Sequence, residues 1–196
     1  MGAVHHQFGH SQRHCRAFDC LVLGSLLAAC APAPIFPPDV LEKVDGTVTF
    51  EKLVTSPDHY KGRTVELGGR IVGSLVEQDE VQMLVRALPI RTTPVYGPYD
   101  TGRSRGLFVI RYAGKIGAQD VQDGNMVVVI GVVNGAVATG VGVSVRRLTV
   151  TAECFHIWRT QGDQIDEFPW LAHTRYWPLI QQTYCINGPN LILPVS

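Results

Sequence analysis

Met126-Val127-Val128-Val129-Ile130-Gly131-Val132-Val133 is the stretch of this chain that decides its fold. Its side chains are apolar without interruption, and its valines and isoleucine are β-branched residues, which favour strands. A continuous apolar run of this length is typical of a strand that is buried on both faces. Asn134-Gly135 follows it directly, and this dipeptide predicts a β-hairpin turn.

The sequence before this run alternates with a period of two. From Val65 to Gly73 every second residue is apolar or glycine, which predicts a long first strand whose glycines permit a strong bend. A turn at Gln78-Asp79 leads to a second strand from Val81 to Leu88, which Pro89 ends. A short helix is expected ahead of these strands, with Thr49 as its N-cap.

Two further strands complete the pattern. A loop from Arg91 to Arg103 precedes a third strand from Gly106 to Tyr112, and Gly117 to Asp123 fits a helical turn. The fourth strand is the apolar run itself, and the fifth extends from about Val143 to Ile157. Three apolar residues of the fifth strand are expected in the core, namely Val145, Leu148 and Val150.

Five strands with a helical turn between the third and the fourth predict a mainly β fold. The expected architecture is a small OB-like antiparallel barrel of five or six strands, over residues 49–157, with a short N-terminal helix. An irregular aromatic C-terminal tail is expected over residues 158–196. An immunoglobulin-like sandwich is the alternative, but it would need about seven shorter strands, which the sequence does not supply.

The N-terminal part of the chain has the organisation of an export signal. Two arginines precede an apolar run from Leu21 to Leu27, which is too short to span a bilayer, since that takes roughly 20 apolar residues. The run closes with Ala28, Ala29 and Cys30, an ending that resembles a bacterial lipobox. A buried core helix that ends in Ala-Ala-Cys is the alternative interpretation.

The lipobox resemblance implies a processing pathway. Residues 1–29 would be a lipoprotein signal peptide, cut between Ala29 and Cys30, and Cys30 would carry the lipid on its sulfur. Residues 30–48 would then form a lipid-anchored, proline-rich tether, because four prolines between Cys30 and Pro38 favour an extended spacer. Ala31 stands where an aspartate would retain a lipoprotein in the inner membrane, so the outer membrane is the expected location.

Composition excludes one class of partner. The formal net charge of the 196 residues is +0, and only 17% of them are charged. Nucleic-acid binding draws most of its affinity from a basic excess, so no nucleic acid is expected as a partner.

The cysteine count predicts a disulfide. Of the five cysteines, Cys15 and Cys20 would leave with the signal and Cys30 would carry lipid, so Cys154 and Cys185 would remain as a pair in an oxidising compartment. The alternative leaves both as free thiols, one buried in a strand and the other in a disordered tail.

No sequence motif indicates catalysis. A glycine-rich phosphate loop, a Gly-x-Ser-x-Gly elbow and a His-Glu-x-x-His helix are all absent from the sequence, so no catalytic residue, no cofactor and no enzymatic activity are predicted. Cys154, His156, His173 and Cys185 could supply four soft ligands, but their spacing matches no zinc pattern, and no metal is predicted. The acidic pairs Asp79/Glu80 and Asp166/Glu167 are interpreted as solvated surface.

Two surfaces are candidates for contact with a ligand or a partner. The first lies beside the second and third strands and includes Arg86, Arg105 and Tyr112. A concave groove there would favour a ligand, and a filled surface would favour a protein partner. The second is the tail, whose rings either pack over the barrel or meet a membrane or partner; they are Trp158, Phe168, Trp170, Tyr176, Trp177 and Tyr184.

Three segments together resemble a known family. They are Phe50 to Gly73, Arg103 to Val109, and the aromatic tail with Trp158, Pro169-Trp170 and Trp177-Pro178. They look like the Slp family of starvation-inducible outer-membrane lipoproteins of Gram-negative bacteria, over about Phe50 to Tyr184. The chain departs from the family after Cys185, where a tail rich in glycine and tyrosine would be expected.

The resemblance implies an outer-membrane lipoprotein associated with nutrient limitation or stress, without established catalytic activity. Its partners would be the outer-membrane lipid, through acylated Cys30, and an envelope protein on the periplasmic side. A periplasmic OB-like module that binds an oligosaccharide or a peptide is the alternative function.

Overall fold

The computed structural model describes residues 34–93, 95–100, 102–138, 141, 145–160, 179–186 and the backbone of 191–192. Contacts divide the chain into two units, Met1–Ala33 and Pro34–Ser196, and every described residue belongs to the second. The expected signal peptide, its cleavage site at Ala29 and the lipidation site at Cys30 therefore lie outside the described residues. The same holds for several members of the expected tail and metal or acidic sites, which are Asp166, Glu167, Phe168, Trp170, His173, Tyr176 and Trp177.

The described elements are short helices followed by strands. The helices are α1 (Pro38–Leu41), α2 (Phe50–Thr55) and a 3₁₀ helix (Pro57–Tyr60). The strands are β1 (Thr64–Val76), β2 (Val81–Leu88), β3 (Ile90–Arg91), β4 (Gly97–Pro98), β5 (Leu107–Tyr112), β6 (Met126–Ala138), β7 (Arg146–Trp158), β8 (Gln181–Cys185) and β9 (Leu191–Ile192).

Five of the strands form a ring. β1 pairs antiparallel with β2 and with β6, β2 pairs with β5, and β6 pairs with β7. A parallel pairing between β5 and β7 closes the ring, and β8 and β9 continue the sheet beyond β7. These five strands correspond to the five predicted from sequence, and the mainly β, mostly antiparallel fold is confirmed.

The apolar run in β6 is buried on both faces, as predicted. Val127, Val129 and Val133 point into the ring, where they join the main core cluster. Val128 and Ile130 point outward and are buried as well. The outward-facing residues are shielded from solvent because the N-terminal residues of the described chain pack over them.

The packing of these N-terminal residues on β6 changes the prediction of a tether over residues 30–48. Phe36 and Val40 pack in the same cluster as the outward residues of β6, so residues 35–44 are part of the fold rather than a free spacer. The proline-rich composition is compatible with this because a single turn of helix, α1, begins at Pro38, where a missing N–H costs nothing. We call residues 35–44 the N-terminal segment.

The hairpin predicted at Asn134-Gly135 is wrong. β6 continues to Ala138, and its register with β7 shifts between Val133 and Gly135, which marks an irregularity inside the strand pair. Gly135 has a φ of 84°, and a Cβ at this position would lie 2.2 Å from Asp58 Oδ1. The glycine therefore serves the close approach of the 3₁₀ helix to β6.

Smaller differences concern exposure and boundaries. Val145, expected in the core, is 46% exposed, because β7 begins after it at Arg146, whereas Leu148 and Val150 are buried as predicted. Gly117 to Asp123, expected as a helical turn, contains a hydrogen-bonded turn at residues 118–121, where the backbone N–H of Asp120 donates to the carbonyl of Gly117 at 2.9 Å.

The tail is not irregular throughout. Trp158 is the last residue of β7, and residues 181–185 form β8, which pairs with β7. Tyr184 on β8 packs into the core against Phe155, with the two rings stacked 5.0 Å apart.

Candidate functional site

The outer face of β7 and β8 carries a buried polar contact beneath the N-terminal segment. His156 Nδ1 lies 2.8 Å from Thr183 Oγ1, and His156 Nε2 lies 3.3 Å from Gln181 Oε1. The Thr183 hydroxyl donates a hydrogen bond of 3.4 Å to the carbonyl of Ile35. Burial lowers the pKa of His156 to about 4, so the imidazole is neutral at neutral pH. His156 therefore helps to hold Thr183 on β8, to which the N-terminal segment is attached.

A disulfide crosses the same strand pair. Cys154 and Cys185 are opposite each other in the register of β7 and β8, their Cα atoms are 4.1 Å apart, and the structure joins their sulfur atoms. Cys154 is buried in the cluster that the N-terminal segment covers. The bond occupies the two thiols that a metal site with His156 would have needed. Within the described ranges, no group of three or more His, Cys, Asp or Glu side chains could hold a metal ion.

The structure does not assemble the expected face of Arg86, Arg105 and Tyr112. Tyr112 is 5% exposed, because its ring lies inside the strand ring and meets Phe155 edge-on at 4.9 Å. It cannot contact an external ligand from there. This inward position follows from the alternation of side chains along β5, which the sequence pattern alone left open.

Arg86 takes part in a buried ion cluster. Asp100 Oδ2 accepts hydrogen bonds from Arg70 Nη2 and from Arg86 Nη2, each at 2.9 Å. Burial alone would raise the pKa of Asp100, but hydrogen bonds from Gly102 and Arg70 and the two positive charges hold it below its ordinary value. The cluster links the loop after β4 to β1 and β2, so the guanidinium of Arg86 serves an ion pair within the fold.

Arg105 lines a cavity together with neighbours from α2, β1 and β2. Its volume is about 220 Å³, below the roughly 300–1,000 Å³ that is usual for small-molecule pockets. The guanidinium of Arg105 already pairs with Glu51 at 3.1 Å, and both side chains are exposed. Glu66, also in the wall, accepts a hydrogen bond from the hydroxyl of Tyr96.

A second buried carboxylate, that of Asp120, binds one residue just after β7 and one residue on β8. Asp120 receives Arg159 Nε and Nη2 on its two oxygens and the Tyr184 hydroxyl at 2.6 Å. Burial, followed by the bond to Asp120, raises the pKa of Tyr184, so the phenol stays protonated as a donor. Sequence reasoning missed this cluster and the one at Asp100, since the partners are between 14 and 64 residues apart and no local spacing signals them.

The described residues thus define a class of protein. It is a mainly β domain with its buried charged groups paired internally, a disulfide between β7 and β8, and its N-terminal segment held on the sheet. In the described part of the chain, no helix is long and apolar enough to cross a membrane.

Comparison with protein families identifies the class more closely. Residues 27–184 match the outer membrane lipoprotein Slp family, and the chain belongs to that family. The matched range includes Ala28, Ala29 and Cys30 as well as all five strands of the ring. Neither curated proteins nor solved structures give a significant match.

Proposed function

We propose that this chain is anchored in the outer membrane by acylated Cys30, faces the periplasm and acts without catalysis, as a structural or partner-binding protein of the envelope. The observation that carries the proposal is the family match, because the family consists of outer-membrane lipoproteins and the matched residues include Cys30. The apolar run that ends at Cys30 supplies the export signal that such a protein needs.

The internal pairing of the buried charged groups supports a role without catalysis. A catalytic acid, base or nucleophile usually faces a cleft with a perturbed pKa. The perturbed buried groups here, such as Asp100 and His156, make their contacts within the fold. Only one buried side-chain polar atom among the described residues, Arg147 Nε, has no hydrogen-bond partner.

A protein partner has more support than a small ligand at the predicted face. Tyr112 is turned into the core, Arg86 is bound to Asp100, and the cavity beside Arg105 is small. A filled surface of this kind suits contact with another protein better than capture of an oligosaccharide. Crosslinking in intact envelopes, followed by purification of the protein and identification of what it carries, would find such a partner.

Substitution of the anchor tests the proposal. Cys30→Ser removes the sulfur that would carry the diacylglycerol, so we expect loss of fatty-acid labelling, and either release of the protein or accumulation of the uncut precursor. Cys20→Ser is a matched control, because Cys20 lies in the segment that would be removed. Labelling with a palmitate analogue and membrane fractionation measure both effects. The proposal fails if Cys30→Ser is labelled and fractionates as the unsubstituted protein does.

A further inference from the structure

The N-terminal segment is fixed to the sheet at both ends. At its start, the carbonyl of Ile35 accepts a hydrogen bond from Thr183 on β8. Just after its end, the backbone N–H of Asp45 donates to the carbonyl of Thr64 on β1 at 2.9 Å. The segment therefore crosses the outer face of the sheet from β8 to β1 and buries apolar side chains on the way.

The strand register locates the point where the chain joins the domain. Thr183 pairs with His156 on β7. His156 pairs with Val128 on β6, and Val128 pairs with Gly68 on β1. Ile35 is therefore held at one end of this row. Val76, at the end of β1, lies eight residues beyond Gly68, a path of about 26 Å along the strand.

The docked segment shortens the link to the membrane. Five peptide steps join Cys30 to Ile35, so their Cα atoms can be at most about 18 Å apart. A free spacer as far as Val48 would instead reach about 56 Å in an extended polyproline conformation. A domain the size of the Pro34–Ser196 unit has a radius of about 20 Å. Because Ile35 can lie at most about 18 Å from the lipid-anchored Cys30, less than this radius, Ile35 stays on the half of the domain nearer the bilayer.

We propose that the N-terminal segment sets the orientation of the domain on the membrane: the side of the sheet formed by β8 and β9, where Ile35 is held, faces the phospholipid surface, and the turn between β1 and β2 faces away. This inference rests on the proposed acylation of Cys30. It gives the docked segment a role beyond covering apolar side chains, because the same contacts that bury Phe36 also limit how far the domain can move from the bilayer.

Energy transfer to labelled lipid measures this orientation. Ile180 precedes Gln181, which the strand register places level with Arg70 on β1, six residues before Val76 at the far turn. Ile180 and Val76 are both exposed aliphatic residues, at 49% and 56%. Ile180→Cys and Val76→Cys are therefore matched sites for a donor fluorophore. The mature acylated protein is reconstituted in phospholipid vesicles that contain an acceptor-labelled lipid. The protein without an added cysteine gives the background, since its own cysteines are acylated or joined in the disulfide.

We expect more efficient transfer from position 180 than from position 76. Insertion of a 20-residue Gly/Ser spacer between Ala33 and Pro34 should lower the transfer from position 180 and remove the difference, because such a spacer adds roughly 25 Å of reach. Phe36→Asp should do the same without lengthening the chain, with circular dichroism as the check that the sheet is retained. Spacer insertion keeps the test valid if Phe36→Asp does not fold.

Equal transfer from the two positions, or greater transfer from position 76, would overturn the orientation. Failure of the anchor itself gives a different result. A protein without acyl mass on Cys30 would not associate with the vesicles, and neither position would show transfer above the background. That outcome would refute the proposed anchor and the orientation together.

Discussion

Burial of His156 makes the stability of the fold depend on pH. Its pKa is lowered from 6.5 to about 4 by burial, so between these values the unfolded chain binds a proton that the folded protein does not. The free energy of unfolding should therefore fall as the pH is lowered from 6.5 to 4, by roughly 3 kcal/mol in total, with no further loss from this residue below pH 4.

Urea unfolding between pH 7 and pH 4 measures this loss. His156→Gln keeps a polar side chain that does not titrate, so its stability should depend less steeply on pH in this window. His59→Gln, a substitution at an exposed histidine that leaves His156 in place, provides the control. Parallel curves for the unsubstituted protein and His156→Gln would contradict the assignment.

Asp100 supplies the carboxylate that pairs with two arginines, Arg70 and Arg86. Its side chain is 2% exposed, and its pKa is held below the ordinary value, so its stabilising contribution is present at neutral pH and is lost as the pH falls through the folded pKa. Asp100→Asn leaves the guanidinium groups of Arg70 and Arg86 without their carboxylate. We expect the free energy of unfolding to fall by about 3 to 5 kcal/mol.

The exposed pair of Lys43 and Glu153, 3.0 Å apart, is the comparison for Asp100. Lys43→Ala breaks an ion pair that water already screens, so its effect on the same denaturation curve should be far smaller. Similar losses from the two substitutions would show that the cluster at Asp100 contributes no more than a surface ion pair.

At the scale of elements, the strands were easier to predict than the contacts between them. β2 begins and ends where the alternation and Pro89 place it, because both signals are local. The Asn134-Gly135 signal failed because the same dipeptide suits a hairpin turn and a bulge, and the 3₁₀ helix that requires the glycine is more than 70 residues away in sequence. β8 was missed for a similar reason, since it is stabilised by β7 rather than by a pattern of its own.

The irregularity in β6 predicts a difference between two glycines. Gly135 and Gly62 have nearly the same φ, 84° and 81°, but only Gly135 has atoms within 4 Å of where a Cβ would be. Alanine at either position carries about 1 to 2 kcal/mol of backbone strain. Gly135→Ala should be the more destabilising in thermal or urea unfolding, because Asp58 and Lys61 must also move. Equal losses would mean that the 3₁₀ helix adapts freely.

The disulfide links β7 to the last described strands. It closes a loop of 31 residues, which on the chain-entropy model stabilises the fold by roughly 3 to 4 kcal/mol. We expect protein taken from the periplasm without reductant to resist thiol alkylation at Cys154 and Cys185, and to become modified only after reduction and unfolding. Two thiols that react freely without reductant would show that the bond does not form in the cell.

At the scale of the whole molecule, the fold class and the family followed from the sequence, but the position of the candidate surfaces did not. Proline content indicated a spacer over residues 30–48, yet burial of Phe36 and Val40 on β6 makes residues 35–44 part of the domain. Composition cannot distinguish the two cases, because a short apolar segment docks only if the sheet offers a complementary face. The paired arginines at Asp100 were hidden for the same reason, since their partners meet only in the fold.

The mature protein is expected to begin at Cys30 and to carry lipid there. The mass of the N-terminal peptide, from protein extracted from membranes with detergent, tests this claim most directly. We predict a peptide that starts at Cys30 and carries a diacylglyceryl group on the sulfur, with or without a further acyl chain on the amino terminus. A peptide that begins upstream of Ala29, or one in which Cys30 is an unmodified thiol, would contradict the account.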